Sequence, residues 1–340
     1  MLIFYTISFL ISCYVLARSG AQVVKSLTRI AAHYELSEFL VAFILVSFAT
    51  TAPELFIGIS SAFSKSTSLS LGNLVGANII NITLVIGLAA VLGRGIEIGT
   101  RIAQKDVYYT IIMLLIPVLL FIDQTLSRVD GLLLLLIFLL YLVHLFHSYQ
   151  KRLPVFVIKA LNMLRIPING EQFHQEFETP SGKERTPREI IIESFWLVIA
   201  MLLLIVSARI IVYLGIELAG ILNLPIVLLG LIIVSIGTTL PELTFGIRAV
   251  MAGRKEMILG NLFGSMTINL VFILGVVALL QPIALSFEAF RLFLVSALCM
   301  FLVLGLFSVF IRTKSKLSWQ EGMVLVMCYV VFVIVVFLMR

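Results

Sequence analysis

Charged residues are scarce in this sequence: they make up 12% of its 340 residues, against about a quarter in soluble globular domains. Apolar residues account for 61%, and the mean hydropathy is +1.15. This balance excludes an ordinary soluble protein and is typical of a polytopic membrane protein.

Cysteines and the usual catalytic motifs are also scarce. Cys13, Cys299 and Cys328 all lie in apolar runs, where a thiol usually packs as a small hydrophobe, so no disulfide framework can be inferred. The apolar runs contain no HExxH motif, no paired His and Cys, and no Ser-His set suited to nucleophilic catalysis. We therefore expect that the protein is not an enzyme and has no cofactor.

Ten apolar runs are long enough to cross a hydrocarbon core of about 30 Å as helices. The sequence therefore predicts an all-α polytopic membrane protein with ten transmembrane helices. We expect a first five-helix unit over residues 1–148, a linker loop over 149–190 and a second five-helix unit over 191–340. The runs lie near 2–18, 38–63, 69–93, 107–122, 131–148, 190–216, 225–250, 257–280, 289–311 and 319–339. The first run has neither a preceding basic residue nor a cleavage pattern, so we interpret it as a retained helix.

Basic residues are distributed unevenly between the segments that connect these runs. If the N-terminus is outside, nineteen basic residues lie in cytoplasmic segments and four outside, with Arg209 inside the sixth run. Because cytoplasmic loops carry the excess of Lys and Arg, we expect an external N-terminus and a cytoplasmic linker loop, most simply in the plasma membrane. Topology and contact with anionic lipid account for the net charge of +6, so we expect no nucleic-acid partner.

Two stretches of the chain match each other at a constant offset of 188 residues. TTAPEL at 50–55 aligns with TTLPEL at 238–243, GNLVGA at 72–77 with GNLFGS at 260–265, and Ser47, Asn81 and Gly87 with Ser235, Asn269 and Gly275. Apolar composition alone would not align Pro, Glu, Asn and Gly, so we infer an internal duplication. Because each unit has five helices, the second copy must be inverted, as in many secondary transporters that bind substrate at the repeat interface.

Glu54 and Glu242 are the acidic residues that fall well inside predicted helices. An ionised carboxylate at that depth costs about 2.5–3.5 kcal/mol on insertion scales, so such residues normally face a cavity, a partner or an ion. Two of them at equivalent positions indicate a shared cation. The alternative is a pair of protonated glutamates that are hydrogen-bonded inside a packed bundle.

A proline precedes each of these glutamates. Because proline has no N–H and clashes with the carbonyl four residues earlier, Pro53 should free the carbonyl of Ala49, and Pro241 that of Gly237. Unwound carbonyls at the midplane commonly coordinate cations. Alternatively, each proline makes a simple kink that is healed by neighbouring hydroxyls, those of Thr50, Thr51, Thr238 and Thr239.

The polar atoms of these motifs are all oxygens or amides. Carboxylates, threonine hydroxyls, freed carbonyls and the amides of Asn81 and Asn269 could form one Ca²⁺ site or several adjoining Na⁺ sites. Soft ligands are absent from these stretches, which argues against copper or zinc. The glycines spaced four apart in GNLVGA and GNLFGS also predict close helix packing.

Taken together, TTAPEL and TTLPEL, each followed by GN-x-x-G and an Asn, resemble the two alpha repeats of the sodium/calcium exchanger family, within the calcium/cation antiporter superfamily. The resemblance implies a secondary active antiporter that exchanges Ca²⁺ for Na⁺ by alternating access. It implies that Glu54 and Glu242 are shared ligands of both cations. It further implies that the sites are lined by Ala49, Thr50, Thr51, Gly237, Thr238, Thr239, Asn81, Asn269 and Ser265.

The sequence differs from the family pattern at one site position and follows one branch of the family at another. Ala77 replaces a frequent serine, so one Na⁺-ligating hydroxyl is missing. Asn269 carries an amide, as in potassium-independent exchangers, so we expect no potassium requirement. A Ca²⁺/H⁺ antiporter is the main alternative. A cation channel is a weaker one, because channel sites usually combine several subunits, whereas both halves here lie in one chain, so a monomer suffices.

Overall fold

The computed structural model describes residues 2–31, 46–97, 102–149, 187–251, 253, 255–314 and 316–339. Most of the predicted linker loop over 149–190, and the first part of the predicted run over 38–63, therefore lie outside the described residues. The described chain is almost entirely helical, as the sequence predicts.

Most helices begin and end near the bounds of the apolar runs, since each run needs a helix to satisfy its backbone inside a membrane. The first half contains α1 (Leu2–Ala31), α2 (Ser47–Thr50), α3 (Ala52–Phe63), α4 (Thr67–Ile80), a π-helical turn (Asn81–Val85), α5 (Ile86–Leu92), β1 (Ile96–Glu97), α6 (Ile102–Leu120), a 3₁₀ turn (Phe121–Asp123), β2 (Thr125–Leu126) and α7 (Arg128–Tyr149). The second half contains α8 (Pro187–Leu222), α9 (Ile226–Leu229), a π-helical turn (Gly230–Val234), α10 (Ser235–Thr238), α11 (Leu240–Met251), α12 (Lys255–Thr267), a π-helical turn (Ile268–Ile273), α13 (Leu274–Leu280), β3 (Ile283–Ala284), α14 (Phe287–Lys314), β4 (Lys316–Leu317) and α15 (Trp319–Leu338).

Seven helices in the described part of the chain are long and apolar enough to cross a membrane. The number rises to eight if Ile226–Thr238 and Leu240–Met251, which are bent by 42° with respect to each other, form a single broken span. The predicted second and fourth runs contain only shorter apolar helices, Ala52–Phe63 and Val107–Asp123. The second run is interrupted at Thr51, and part of it is outside the described residues.

The buried apolar side chains form two clusters. The larger cluster joins α4–α7 to α9 and α11–α15, so it draws on both halves of the chain. The smaller cluster is centred on α1 and α8, which pack along each other. The outer face of α8 includes Arg209, the one basic residue predicted inside a run, and this side chain is exposed.

Contacts between the two halves occur in matched pairs. Strand β1 pairs with β4, and β2 pairs with β3, both antiparallel. Gly87 of α5 lies against Gly322 of α15, and Gly131 of α7 lies against Gly275 of α13, with a built Cβ 2.7–3.1 Å from the partner glycine's carbonyl oxygen. Gly87 matches Gly275 at an offset of 188 residues, and Gly131 matches Gly322 at 191. Exchanging the two halves therefore relates the two pairs to each other, which is consistent with the duplication inferred from the sequence.

Candidate ion-binding site

Two helix breaks position the repeated TTxPEL motifs. Helix α2 ends at Thr50 and α3 begins at Ala52, while α10 ends at Thr238 and α11 begins at Leu240. The intervening threonines leave helical geometry in the same way: Thr51 has φ −81° and ψ 4°, and Thr239 has φ −84° and ψ 2°. Each break lies just before a proline, whose missing N–H cannot continue the helical ladder.

The threonine hydroxyls of these breaks bind carbonyl oxygens one turn earlier. Thr51 Oγ1 donates to the Ser47 carbonyl oxygen at 2.7 Å, and Thr239 Oγ1 donates to that of Ser235 at 2.7 Å. Their acceptors are thus Ser47 and Ser235, whereas the carbonyls that the prolines should free belong to Ala49 and Gly237. The hydroxyls therefore bind carbonyls at the kinks, as the healed-kink alternative expects, but these bonds do not reach the carbonyls of Ala49 and Gly237.

Glu54 and Glu242 are completely buried, and none of their four carboxylate oxygens has a hydrogen-bond partner. The two carboxylates are close enough to interact electrostatically with each other. Each also faces a hydroxyl of the other half, Glu54 that of Thr238 and Glu242 that of Thr50. Leaving such buried groups without a partner is costly.

Side chains from α4 and α12 complete a polar network around the breaks, and they do so across the two halves. Thr238 Oγ1 donates to Asn73 Oδ1 at 3.0 Å. Thr50 Oγ1 donates to Asn261 Oδ1 at 3.3 Å and shares a 3.3 Å hydrogen bond with the Ser265 hydroxyl. Each broken helix is therefore held by an asparagine from the opposite repeat.

Asn81 and Asn269 lie at the start of π-helical turns in the two halves. Both side chains are buried. Neither amide atom of Asn81 has a partner, and Asn269 Oδ1 has none either. Asn269 Nδ2 donates to Asn78 Oδ1 at 2.9 Å. Both halves thus offer an unpaired amide oxygen beside the glutamates' helices.

All eleven side chains or backbones predicted for the site are buried, and the network above joins most of them. Ala49 and Gly237 are buried at the breaks themselves, and Ala77, at the position of the missing hydroxyl, is completely buried on α4. Asn73, Asn261 and Asn78 also belong to this network but were not predicted as site residues. The first two match each other at the repeat offset, which could have identified them.

The unpaired atoms of this cluster are those of a hard-cation site. Four carboxylate oxygens and two amide oxygens lack partners, and the hydroxyls of Thr50 and Thr238 lie beside the carboxylates. Ca²⁺ takes six to eight such oxygens at about 2.3–2.6 Å. Two carboxylates also match the charge of one divalent ion.

Comparison with known proteins gives a consistent result over the whole chain. A family model described as sodium/calcium exchanger protein matches residues 4–147 and 193–338. The chain is 30% identical to the sodium/calcium exchanger MaX1 of Methanosarcina acetivorans, over 95% of both proteins. It is 26% identical to the putative antiporter CaxA of Alkalimonas amylolytica, over 96% of both. Among solved structures, the sodium-calcium exchanger NCX_Mj superposes with a TM-score of 0.63 at 22% identity, covering 97% of this chain and 98% of that one.

Proposed function

Because the chain belongs to the sodium/calcium exchanger family, and is therefore an integral, multi-pass cation antiporter, we propose that it exchanges Ca²⁺ for Na⁺ by alternating access, with Glu54 and Glu242 as the shared ligands. One observation carries the proposal. Two fully buried carboxylates from the two halves of the chain lie close together, without hydrogen-bond partners.

The surrounding oxygens support the same ligand set. We assign Thr50 and Thr238 a ligand role because each faces the glutamate of the other half. The unpaired oxygens of Asn81 and Asn269 point to a similar role for both residues. Ser265 joins the set through its hydrogen bond to Thr50. The remaining members are the helix-break residues Ala49, Thr51, Gly237 and Thr239, through their backbone carbonyls.

The proposal includes ten transmembrane helices in two inverted five-helix units, residues 1–148 and 191–340, joined by the linker loop. The matched strand pairs and glycine pairs support the inversion, since each maps onto the other when the halves are exchanged. The excess of basic residues supports a cytoplasmic linker loop and an external N-terminus, with anionic lipid at the inner face. One chain holds both glutamates, so a monomer carries a complete site.

Charge balance explains why such a site exchanges ions. Without a cation, two carboxylates in a water-excluded cavity repel each other and lack solvation, which is expensive. One Ca²⁺ neutralises them, and so do two monovalent cations. The empty carrier therefore resists reorientation, so Ca²⁺ leaves on one side only if Na⁺ replaces it there. This is the thermodynamic basis of obligatory antiport.

Proton coupling is the second candidate, and Ala77 is the observation that favours it. This buried position lacks a hydroxyl, so one potential Na⁺ ligand is missing. Two protons would neutralise the glutamates equally well without needing that ligand. The Na⁺ assignment has the support of the relative MaX1, which is named as a sodium/calcium exchanger.

The decisive experiment is ⁴⁵Ca²⁺ uptake into proteoliposomes under separate Na⁺, K⁺ and H⁺ gradients. We expect uptake driven by an outward Na⁺ gradient, no effect of K⁺, and loss of uptake in Glu54→Gln and Glu242→Gln. Glu288→Gln is the matched control, because Glu288 is exposed at the start of α14. Uptake driven by a proton gradient alone would favour the second candidate. Ca²⁺ release that needs no opposing cation would contradict antiport and indicate a channel.

A further inference from the structure

Asn78 is a buried polar residue that is not among the proposed ligands. It lies on α4, one turn before Asn81, and is completely inaccessible to solvent. Its amide nitrogen donates to the backbone carbonyl oxygen of Met266 at 3.0 Å. Its amide oxygen accepts from Asn269 Nδ2 at 2.9 Å. Asn78 thus connects a fixed backbone group to a proposed ligand of the other half.

The chemistry of these two bonds fixes the orientation of both amides. A backbone carbonyl can only accept a hydrogen bond, so the Asn78 group that faces Met266 must be the NH₂. The Asn78 oxygen then faces Asn269, and only the NH₂ of Asn269 can meet it. The oxygen of Asn269 is consequently turned away from Asn78, and this is the atom that lacks a hydrogen-bond partner.

The same restraint is absent from the other half of the site. The residue that matches Asn78 at the repeat offset is Met266, whose thioether is at most a weak acceptor. Correspondingly, neither amide atom of Asn81 has a partner. The two amides of the site therefore differ: hydrogen bonds hold the Asn269 amide in one orientation, whereas no hydrogen bond among the described residues fixes that of Asn81.

We propose that Asn78 is a positioning residue that makes Asn269 a cation ligand, by keeping its amide oxygen rather than its NH₂ toward the site. This inference rests on the proposed function, in which Asn269 binds the transported cation. An amide needs such a restraint because its two ends have opposite polarity, and a rotated Asn269 would present N–H groups to the ion. A carboxylate at 269 would need none, since both of its ends are oxygens.

A double-mutant cycle tests this idea. Asn78→Leu keeps the side-chain shape and removes both hydrogen bonds. With Asn269 present, we expect the half-saturating ⁴⁵Ca²⁺ concentration to rise roughly tenfold, which corresponds to one lost buried hydrogen bond. In an Asn269→Asp background, we expect Asn78→Leu to change it less than about twofold, or to lower it, because the Asn78 oxygen would oppose the carboxylate.

A purely structural role for Asn78 predicts a different result, namely the same loss in both backgrounds, and that result would overturn the proposal. An unchanged half-saturating concentration in Asn78→Leu alone would also overturn it. Asn78→Ala replaces the leucine variant in the same cycle if the latter is not recovered as folded protein. Should neither variant fold in either background, Asn78 serves the fold and not the amide orientation. If the unmodified protein and Glu54→Gln show the same ⁴⁵Ca²⁺ binding, the proposed function fails first.

Discussion

Replacing Gly76 by alanine should separate the two halves of the site by a measurable amount. A Cβ built on Gly76 lies 2.1 Å from the Leu231 carbonyl oxygen and 2.6 Å from the Ser235 hydroxyl. A carbon and a carbonyl oxygen rest at about 3.3–3.6 Å, so α4 and the α9–α10 segment must move apart by roughly 1 Å. The contact with Leu231 cannot be relieved by a side-chain rotation, because the carbonyl oxygen belongs to the backbone.

This movement should destabilise the polar network around the helix breaks. Overpacking typically costs about 1–3 kcal/mol, and the segment that moves carries Thr238, whose 3.0 Å hydrogen bond to Asn73 spans the same interface. If the ion-bound state requires the close contact and the free state does not, the whole cost appears in binding. The half-saturating ⁴⁵Ca²⁺ concentration of Gly76→Ala should then rise about 5- to 150-fold.

The measurement is ⁴⁵Ca²⁺ binding to purified protein, with thermal unfolding followed in parallel. Gly305→Ala is the control, because a Cβ on Gly305 has nothing within 4 Å. It should leave Ca²⁺ binding unchanged and should not lower the unfolding temperature, since alanine favours the interior of α14. A Gly76→Ala protein that binds Ca²⁺ as tightly as the original, with the same unfolding temperature, would refute the reasoning about this interface.

Three further changes probe other parts of the molecule. Gly20→Ala places a Cβ 2.9 Å from the rings of both site prolines, so we expect about tenfold slower ⁴⁵Ca²⁺ exchange. The control Gly220→Ala, whose Cβ has open space around it, should exchange Ca²⁺ at the normal rate. Equal exchange rates in the two variants would contradict a role for the contact between α1 and the prolines. Ala77→Ser adds the hydroxyl that its repeat mate possesses, and the Na⁺ dependence of exchange should become steeper; an unchanged Hill coefficient would argue against a Na⁺ ligand there. Ser318→Ala removes the capping box of α15, in which the Ser318 hydroxyl accepts from the Glu321 N–H at 3.3 Å. It should lower the free energy of unfolding by about 1 kcal/mol without affecting Ca²⁺ binding. A loss of Ca²⁺ binding would contradict a purely local role.

The sequence predicted the helical fold and the position of the site because the relevant signals are local or strictly repeated. Apolar runs identify helices by length, and the proline in each TTxPEL motif identifies a break by its missing N–H. The constant offset then pairs Glu54 with Glu242, and two carboxylates that face lipid would be too costly. Their proximity therefore followed from the residues, although their role as ligands remains a proposal.

The hydrogen bonds between the halves could not be predicted in the same way. Helical periodicity shows which residues share a face, but not which residue of another helix they meet. Asn78 is one example: the repeat offset relates it to Met266, but nothing in the sequence indicates that its amide binds the Met266 carbonyl and the Asn269 amide. The π-helical turns at Asn81 and Ile268 are another, because no composition signal distinguishes i→i+5 bonding from an ordinary helix. The threonine hydroxyls are a third example, because the sequence does not indicate that those of Thr51 and Thr239 bind the carbonyls of Ser47 and Ser235.

The matched glycine and strand pairs have a consequence for how the protein is made. Each of these pairs joins a residue of the first half to one of the second, so neither half can form any of them alone. While the second half is still being synthesised, Gly87 and Gly131 of the first half lack their partner glycines, and Glu54 lacks Glu242. If Glu54 and Glu242 are shared ligands as proposed, the ion-binding site can form only after the second half has been synthesised and inserted.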